Sequence, residues 1–382
     1  MTSTTSPSPG SSTPPTVLAP TDLWEAHEAL ADTSGSVEIR GTATASNWAD
    51  PPKPTDNVLD TTRMTGVLTY NPADMTVSVR AGTPLRELAA ELAPNGQRVA
   101  FDPASVEQGA TVGGLIATAD SGPLSLSYGS LRDLVIGATV VLADGTVART
   151  GGHVIKNVAG YDLAKLLHGS YGAFGLLAEV VLRLHPLPSA TRTVRAELPL
   201  STAAEKAVSV LRGQSEPVSL EWFEGQLLTR LEGTVEGTEA RARRLAAELG
   251  GTVLDEDTAH AAWARHAELV RQANVRIGVR PSRLTGVVTD CGRADDTHAT
   301  VGLGTGVAAL AVPDAEIERV HDITTAANGV SVLRRAIPGA RAWGRTPSAV
   351  RVLRAVKDEL DPERRLCPGR LESWLEERKA AP

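Results

Sequence analysis

The segment GGHVIKNVAGYDLAKLLHGSYGAFG (151–175) sets six glycines among a short group of polar side chains. The polar group comprises Lys156, Asn157, Tyr161 and Asp162. Glycine loses more conformational freedom on folding than other residues do, and it is used where the backbone turns sharply or approaches another group closely. The segment therefore predicts a place at which the main chain comes close to a second group.

Regular elements surround this segment on both sides. Residues 136–150, IGATVVLADGTVART, predict a β-hairpin with Asp144-Gly145 at its turn. Residues 176–188, LLAEVVLRLHPLP, predict a strand that ends at prolines. Upstream, residues 64–70 and 75–82 alternate as two further strands.

Three other elements are predicted in the first hundred residues. Residues 22–31, DLWEAHEALA, predict a short amphipathic helix, and residues 36–41 predict a strand. Residues 83–96, TPLRELAAELAPNG, predict a helix with Thr83 as its N-cap and Asn95-Gly96 at its end.

From about residue 190 the sequence alternates strands and helices in a compact βαββα order, which predicts a ferredoxin-like α+β module. Residues 277–292 and 298–313 continue this module, and no clear tandem repeat is found in the sequence. A last helix is predicted at 348–361. The Ser/Thr/Pro-rich residues 1–20 predict a disordered tail that lacks the basic and apolar regions of a signal peptide.

Composition excludes several classes of function. The chain has 382 residues and a formal net charge of −7, which argues against a general nucleic-acid binder. No apolar run approaches the roughly 20 residues that a membrane span needs. Cys291 and Cys367 are the only cysteines, which favours a reduced cytoplasmic protein and cannot supply the usual four thiolates of an iron–sulfur cluster.

Two glycine-containing loops are candidates for phosphate binding. The sequence has no Walker A motif, and in GLGTGVAAL (302–310) the glycine spacing and the nearby Pro313 argue against a dinucleotide-binding turn. In IRGTATAS (39–46) small residues follow a strand, so their N–H groups are arranged to form an anion-binding nest, although a surface turn explains the loop equally well. ATVGGLIATADSG (110–122) permits close backbone approach and offers hydroxyl donors.

The order of these pieces resembles the FAD-binding domain of the vanillyl-alcohol oxidase/PCMH superfamily. Within it, the chain is most similar to the FAD-binding E subunits of bacterial glycolate oxidases. VGG, SGP, KNVAGYDL and the terminal PGR carry the resemblance, which is dense over residues 36–188 and weak in the middle of the chain. It implies an α+β fold with a two-subdomain FAD-binding domain, a smaller ferredoxin-like α+β cap and a C-terminal segment that returns to the FAD domain.

The resemblance also implies domain limits and cofactor-binding residues. The domains are a tail (1–20), an FAD-binding domain (21–188), a cap or substrate domain (189–332) and a C-terminal segment (333–382). For Lys156, Asn157 and Asp162, a structural role and a cofactor contact both stay open. The implied pyrophosphate loop is Gly41, Thr42, Ala43, Thr44 and Ala45. The implied second wall is Thr111, Val112, Gly113, Gly114, Ser121, Gly122, Tyr128, Gly129 and Arg132. The glycine-rich segment 151–175 is implied to contribute Gly160 and Tyr161, and Leu177 is implied to contact the adenine.

Departures from the superfamily refine this prediction. Neither glycine-rich loop contains the His or Cys through which some relatives hold the flavin, so the FAD is predicted to be non-covalent. No H-x-G-D-G-N-x-H motif is present, and no pair of histidines has ligand spacing beside a carboxylate, so no metal is predicted. Cys367 stands where relatives commonly have Asn, and it is interpreted as a buried thiol outside the site.

The resemblance implies an FAD-dependent oxidoreductase that oxidises a small 2-hydroxy acid, glycolate above all, by hydride transfer to flavin. Electrons would pass to a larger flavin subunit and an iron–sulfur subunit in a cytoplasmic complex, with membrane association only through partners. Two alternatives stay open: a flavin-binding partner subunit without chemistry of its own, and a stand-alone FAD-linked oxidase of another alcohol or sugar. Among the arginines, Arg280, Arg283, Arg341 and Arg345 are candidates for holding a substrate carboxylate, and the sequence does not identify the catalytic base.

Overall fold

The structure is a computed structural model that describes residues 14–153, 163–293 and 298–376. Within these ranges the chain forms eighteen strands, numbered here in chain order. The strands are β1 Thr16–Leu18, β2 Val37–Arg40, β3 Asn57–Asp60, β4 Val67–Asn71, β5 Thr76–Arg80, β6 Gln97–Arg98, β7 Val135–Val141, β8 Val147–Gly151, β9 Leu176–Arg183, β10 His185–Pro186, β11 Ala190–Glu197, β12 Ser219–Phe223, β13 Gln226–Gly233, β14 Thr252–Val253, β15 Val275–Gly278, β16 Ala299–Gly302, β17 Val307–Leu310 and β18 Val330–Leu333.

The same ranges contain thirteen α-helices, several of them only one turn long. The helices are α1 Leu23–Ala31, α2 Leu85–Leu92, α3 Val112–Ala117, α4 Ser125–Tyr128, α5 Leu131–Leu134, α6 Leu163–Leu167, α7 Leu200–Arg212, α8 Val235–Leu249, α9 Glu256–Gln272, α10 Pro281–Asp290, α11 Ile317–Ala326, α12 Val350–Leu360 and α13 Glu372–Leu375.

The first half of the chain builds two sheets. β1, β3 and β2 form a small parallel sheet in that order, and an antiparallel sheet has the order β4-β5-β9-β7-β8. The central strands β7 and β9 are apolar along most of their length and are almost wholly buried, as expected for strands covered on both faces. The loop that joins β2 to β3 of the small sheet carries one glycine-rich loop, and the segment from α2 to α3, between β5 and β7 of the antiparallel sheet, carries the start of the other.

The second half forms one eight-stranded sheet with the order β14-β11-β13-β12-β16-β17-β15-β18. Its elements follow each other as strand, helix, strand, strand, helix, strand, and after α9 the same order repeats. Each repeat has the topology of a ferredoxin-like unit, and the two units join edge to edge where β12 pairs with β16. The structure therefore contains a duplication that the sequence analysis missed. The two units have the same order of helices and strands, but their amino-acid sequences show no clear repeat.

The C-terminal segment returns to the first half of the chain, as predicted. At the start of β2, the N–H of Val37 donates to the carbonyl of Arg365 at 2.8 Å. The carbonyl of Val37 in turn accepts from the N–H of Cys367 at 2.8 Å. The buried ammonium of Lys357 in α12 is satisfied by Asp361 Oδ2 at 2.6 Å and by the carbonyl of Ala173 at 2.7 Å. A buried cation with this many acceptors fixes α12 against the antiparallel sheet.

Two predictions near the N-terminus need correction. Residues 1–20 were predicted to be a disordered tail, but Thr16–Leu18 form β1, which pairs in parallel with β3. Thr83 was predicted to be an N-cap, whereas α2 begins at Leu85 after Pro84. The Thr83 hydroxyl instead donates to the carbonyl of Arg80 at 2.7 Å. The sheet of the second half spans Ala190–Leu333, close to the predicted limits of the cap, and the domain limits stay a prediction.

Candidate FAD and substrate site

A cleft with about 890 Å³ of empty space opens beside the loop that follows β2. One wall is residues 41–46, and the opposite wall includes Thr111, Gly113 and Gly114 at the start of α3. Gly172, Leu177, Cys367 and Arg370 also line it. The structure thus brings the two predicted phosphate-binding loops together across one cleft.

The loop after β2 presents backbone donors to this cleft. In the described part of the chain, no hydrogen bond uses the N–H groups of residues 42–45, whereas the N–H of Ser46 donates to the carbonyl of Ala43 at 3.1 Å. Ala43 has a φ of 60°, in the left-handed region that non-glycine residues seldom occupy. Successive free amides around such a residue form a nest that suits a phosphate group.

Close backbone approach explains two of the glycines. A Cβ on Gly41 would lie 2.8 Å from the hydroxyl oxygen of Thr111 on the opposite wall. A Cβ on Gly113 would lie 2.9 Å from the Cβ of Ala81 and 3.0 Å from its carbonyl oxygen. Both distances are shorter than packed carbon atoms tolerate, so the cleft keeps its width only with glycine at these positions.

The C-terminal segment supports the same loop from behind. Arg370 donates hydrogen bonds to the carbonyls of Ser46 at 2.5 Å, Trp48 at 2.6 Å and Asp50 at 2.9 Å. Cys367, which the sequence analysis left outside the site, lines the cleft, and burial raises the pKa of its thiol. The thiol accepts a weak hydrogen bond from the N–H of Ile39 at 3.4 Å.

Other predicted contacts lie elsewhere. Val112 belongs to the hydrophobic core, and Ser121 and Gly122 line a second cleft. Tyr128, Gly129 and Arg132 line none of the clefts described here. The Tyr128 hydroxyl instead hydrogen-bonds to Glu232 and Arg98 where the two halves of the chain meet. The glycine-segment residues Lys156, Asn157, Gly160, Tyr161 and Asp162 lie outside the described residues.

The second cleft, with about 1450 Å³ of empty space, lies between residues 101–125 and the eight-stranded sheet. Four arginines line it: Arg230, Arg271, Arg276 and Arg334. The side chain of Arg334 is only 5% exposed, and its Nη1 lies 3.6 Å from Asp120 Oδ1. Its guanidinium also stacks 4.0 Å from the ring of Trp48.

A third cleft connects the first two through shared lining residues. Thr118 and Tyr171 line both the first and the third cleft, and Arg276 lines both the second and the third. Burial raises the pKa of Tyr171 to about 12, so this phenol stays protonated. Nη1 of Arg276 donates to the carbonyl of Ala119 at 2.7 Å, which fixes the side chain between the clefts.

The arginines chosen from the sequence are mostly elsewhere. Arg341 is exposed and paired with Glu318 and Asp322, and Arg280 and Arg283 lie at the exposed start of α10. Arg345 alone lines one of the three clefts, the third. Sequence reasoning missed Arg276 and Arg334 because each lies beside or within a strand of the duplicated unit, which the sequence did not reveal.

The sequence analysis argued against a dinucleotide-binding turn and a metal site. The GLGTG segment connects β16 to β17 as a hairpin, so it does not form a dinucleotide-binding turn. In the described ranges, no group of three or more His, Cys, Asp or Glu side chains is arranged to hold a metal ion. The absence of a metal stays a prediction. No helix of those ranges is long and apolar enough to cross a membrane.

Residues 14–151 match the family described as an FAD binding domain. The chain therefore carries an FAD-binding domain of the PCMH type, and the protein is a flavoprotein whose cofactor is FAD. The free amides of residues 42–45 and the glycine-narrowed walls of the first cleft fit the pyrophosphate of such a cofactor. The relatives by sequence include glycolate oxidase subunits and D-lactate dehydrogenases.

The chain is 37% identical over 215 residues to glycolate oxidase subunit GlcE of Escherichia coli, covering 56% of this chain and 59% of that protein. It is 32% identical over 225 residues to glycolate oxidase subunit GlcD of Bacillus subtilis, covering 58% and 48%. It is 36% identical over 154 residues to the mitochondrial D-lactate dehydrogenase (cytochrome) of Arabidopsis thaliana, covering 40% and 27%. The matches thus span less than two thirds of each relative.

Solved structures extend the likeness to nearly the whole chain. Alkyldihydroxyacetonephosphate synthase in one crystal form matches with a TM-score of 0.65 and 16% identity, covering 92% of this chain and 76% of that one. A second crystal form gives a TM-score of 0.67 and 15% identity with the same coverage. At this identity the likeness shows the fold alone, and it extends the agreement beyond the FAD-binding domain to the cap and C-terminal segment.

Proposed function

We propose that this protein is an FAD-dependent oxidoreductase that oxidises a small 2-hydroxy acid, with glycolate as the preferred substrate. The relatives named for glycolate oxidase and D-lactate dehydrogenase support this class of substrate. Bound FAD supplies a two-electron acceptor for a hydride. The amides of residues 42–45 would hold its pyrophosphate, and Arg370 keeps that loop in place.

The single observation that carries the proposal is the state of Arg334. Its guanidinium is buried, burial lowers its pKa, and no hydrogen bond of its side chain occurs within the described ranges. The nearby Asp120 already accepts from the Ser105 hydroxyl at 2.6 Å and from the Ser121 N–H at 2.9 Å. A buried cation that is only partly neutralised is costly, and a bound carboxylate would remove that cost.

Arg276 provides a second donor group for the same anion. It lines the second cleft together with Arg334, and it is close enough to help lower the pKa of Arg334. Two guanidinium groups around one carboxylate orient a 2-hydroxy acid with its α-carbon at a fixed position. We assign the carboxylate end of the substrate to this pair.

A second candidate function is a flavin-binding partner subunit that does no substrate chemistry itself. The sequence lacks the H-x-G-D-G-N-x-H motif of related hydroxy-acid dehydrogenases, and this observation favours the alternative. In both cases we propose a complex with a larger flavin subunit and an iron–sulfur subunit, because this chain has too few cysteines for a cluster of its own. A stand-alone oxidase of another alcohol or sugar remains the third candidate.

Anaerobic mixing of the purified flavoprotein with glycolate or D-lactate separates these candidates. Bleaching of the flavin absorbance by the chain alone supports an enzyme in its own right. Bleaching only after the co-purified partners are added supports the partner-subunit function. Bleaching by other alcohols or sugars, but by no 2-hydroxy acid, supports the stand-alone oxidase.

A further inference from the structure

We propose that His266, held by Glu221, accepts the hydroxyl proton of the substrate. The inference rests on the proposed oxidation of a 2-hydroxy acid and adds the base that the sequence did not identify. His266 lies on α9 and Glu221 on β12, and both side chains line the second cleft together with Arg276 and Arg334.

The two side chains form a buried pair. Nε2 of His266 lies 3.2 Å from Oε2 of Glu221, and the side chains are 5% and 8% exposed. A carboxylate at this distance favours the tautomer with its proton on Nε2, which leaves Nδ1 as the basic atom. Nδ1 makes no hydrogen bond to another described residue and is not fully buried. Because His266 lines the second cleft, this nitrogen is accessible from the cleft.

Aromatic rings fix the plane of the imidazole. The rings of Phe223 and Trp263 approach His266 edge to face, with centroids 5.4 and 5.8 Å away. Trp263 is itself held by a hydrogen bond from its indole N–H to the Thr193 hydroxyl at 3.1 Å. An imidazole with one nitrogen tied to a carboxylate and two aromatic rings packed against it is oriented before a substrate arrives.

Charged groups on several elements face this imidazole. Glu221 belongs to β12, and Asp102 lies on the opposite wall, where it pairs with Arg230 of β13 at 2.9 Å. Arg230 also stacks 4.1 Å from the Trp263 ring. Glu107, Arg271 and His260 line the same cleft. The positive groups of this set counter the three carboxylates, so the cleft combines an anion-binding side with a proton acceptor.

The chemistry balances with one base and one hydride acceptor. Oxidation of R–CH(OH)–COO⁻ to R–CO–COO⁻ releases the α-hydrogen with two electrons as a hydride, for which bound FAD would be the acceptor. The O–H bond of the hydroxyl group on the α-carbon also breaks, and its proton goes to Nδ1 of His266. The remaining electron pair forms the second C–O bond of the 2-oxo acid. Glu221 stabilises the positive charge that His266 gains.

Other histidines are less suited to this role. His321 has both ring nitrogens engaged, by the Ser331 hydroxyl at 2.7 Å and the Arg341 carbonyl at 2.9 Å. His168 lines none of the three clefts, and burial lowers its pKa to about 4. His260 lines the second cleft but is exposed. Among the histidines placed here, only His266 combines burial, a carboxylate partner and access to the cleft.

The test measures anaerobic flavin reduction in the full-length FAD-loaded protein, with its co-purified partners present, and compares wild type with His266→Asn. We expect the variant to reduce its flavin about 10²- to 10⁴-fold more slowly, the usual contribution of a general base. Oxalate, an unreactive dicarboxylate, should perturb the flavin absorbance with an unchanged Kd. The acidic limb of the pH–rate profile should be lost, and imidazole added to His266→Ala should restore part of the rate.

Two further variants separate the outcomes. Glu221→Gln keeps the size of the side chain and should slow reduction less than His266→Asn, again with an unchanged Kd for oxalate. His321→Asn removes another buried, hydrogen-bonded histidine of the same half of the chain and should leave the rate unchanged. If 2-hydroxy acids reduce the flavin of wild type and of His266→Asn at equal rates, the assignment of His266 as the base is wrong, while the proposed function stands. A wild type that no 2-hydroxy acid reduces overturns the proposed function, and the assignment with it.

Discussion

Arg370 donates a 2.6 Å hydrogen bond from Nη1 to the main-chain carbonyl of Trp48, although 322 residues separate the two. The same side chain also binds the carbonyls of Ser46 and Asp50. The loop after β2 is further attached to the cap, because the N–H of Ala49 donates to the carbonyl of Leu333 at 2.8 Å. The C-terminal segment and the cap therefore both determine the shape of the loop that we assign to the FAD pyrophosphate.

Replacing Arg370 should weaken FAD binding more than it weakens the rest of the fold. Arg370→Ala leaves three carbonyls without their charged donor, which we expect to lower the free energy of unfolding by roughly 3 kcal/mol. Arg370→Lys keeps the charge but cannot reach three carbonyls with a planar fork, so FAD affinity should fall at least about tenfold. The flavin-to-protein absorbance ratio after gel filtration, and the Kd for added FAD, measure both effects.

Arg335→Lys is the matched control for this change. Arg335 is exposed and its side chain pairs with Asp314 at 2.9 Å rather than with the loop, so its replacement should leave the flavin content unchanged. A full complement of tightly bound FAD in Arg370→Lys would show that the loop keeps its shape without this anchor.

Gly113→Ala should distort the wall of the FAD cleft at the start of α3. The added methyl would contact Ala81 at 2.9 Å and force α3 away from the end of β5, at a cost of about 1–3 kcal/mol. Thermal unfolding with and without added FAD should show both a lower Tm and a smaller stabilisation by FAD. Gly286→Ala in α10 is the control, since no atom lies within 4 Å of its added Cβ, and it should be neutral or stabilising by up to about 1 kcal/mol.

Local patterns predicted most elements of the first half, because turns and alternation are encoded by neighbouring residues. The hairpin at Asp144-Gly145 and the strands β4 and β5 are examples, and Gly145 takes the positive φ of 85° that its turn needs. The resemblance placed both walls of the first cleft. The second cleft was not predictable in this way, because Arg276 and Arg334 become neighbours through the pairing of β15 with β18, and His266 of α9 meets Glu221 of β12 only in the folded chain.

The contact between the two halves of the chain should depend on pH. Glu232 of β13 binds Arg98 of β6 through both carboxylate oxygens, with 2.9 Å from Nη1 to Oε1, and accepts from the Tyr128 hydroxyl at 2.8 Å. Burial would raise the pKa of Glu232, but the hydrogen bonds and charge of Arg98 outweigh it, so the pKa lies below its ordinary value of 4.5. Folding therefore gains stability above about pH 4.5 that is lost as the pH falls through the folded-state pKa.

Glu232→Gln tests this dependence. At pH 7 the free energy of unfolding of the variant should be about 2 kcal/mol lower than that of wild type, because Arg98 loses a charged partner in a buried contact. The difference should shrink steadily below pH 4.5, where wild-type Glu232 also becomes neutral. Urea unfolding at several pH values measures it, and a difference that stays constant between pH 7 and pH 3 would contradict the assigned ion pair. Glu239→Gln, in an exposed pair with Arg192, is the control.

The flavin should be released without breaking a covalent bond. Neither glycine-rich loop of the first cleft contains His or Cys, and the one thiol that lines the cleft, Cys367, has a raised pKa that disfavours the reactive thiolate. Precipitation of the holoprotein with acid should leave all the yellow colour in the supernatant, measured at the flavin absorbance maximum. Colour that stays with the pellet would instead indicate a covalent link, and peptide mass spectrometry would locate it.

Arg334→Gln should weaken carboxylate binding while leaving FAD in place. The guanidinium lies over the Trp48 ring and near an Asp120 that is already bound by Ser105 and Ser121, so its removal leaves few groups unsatisfied. We expect a Kd for oxalate at least about tenfold higher, no loss of bound FAD and little change in Tm. Titration calorimetry of the FAD-loaded protein measures the oxalate affinity, with Arg243→Gln, an exposed arginine paired with Glu239, as the control. Equal oxalate affinity in wild type and Arg334→Gln would place the carboxylate elsewhere and remove the main support for a 2-hydroxy-acid substrate.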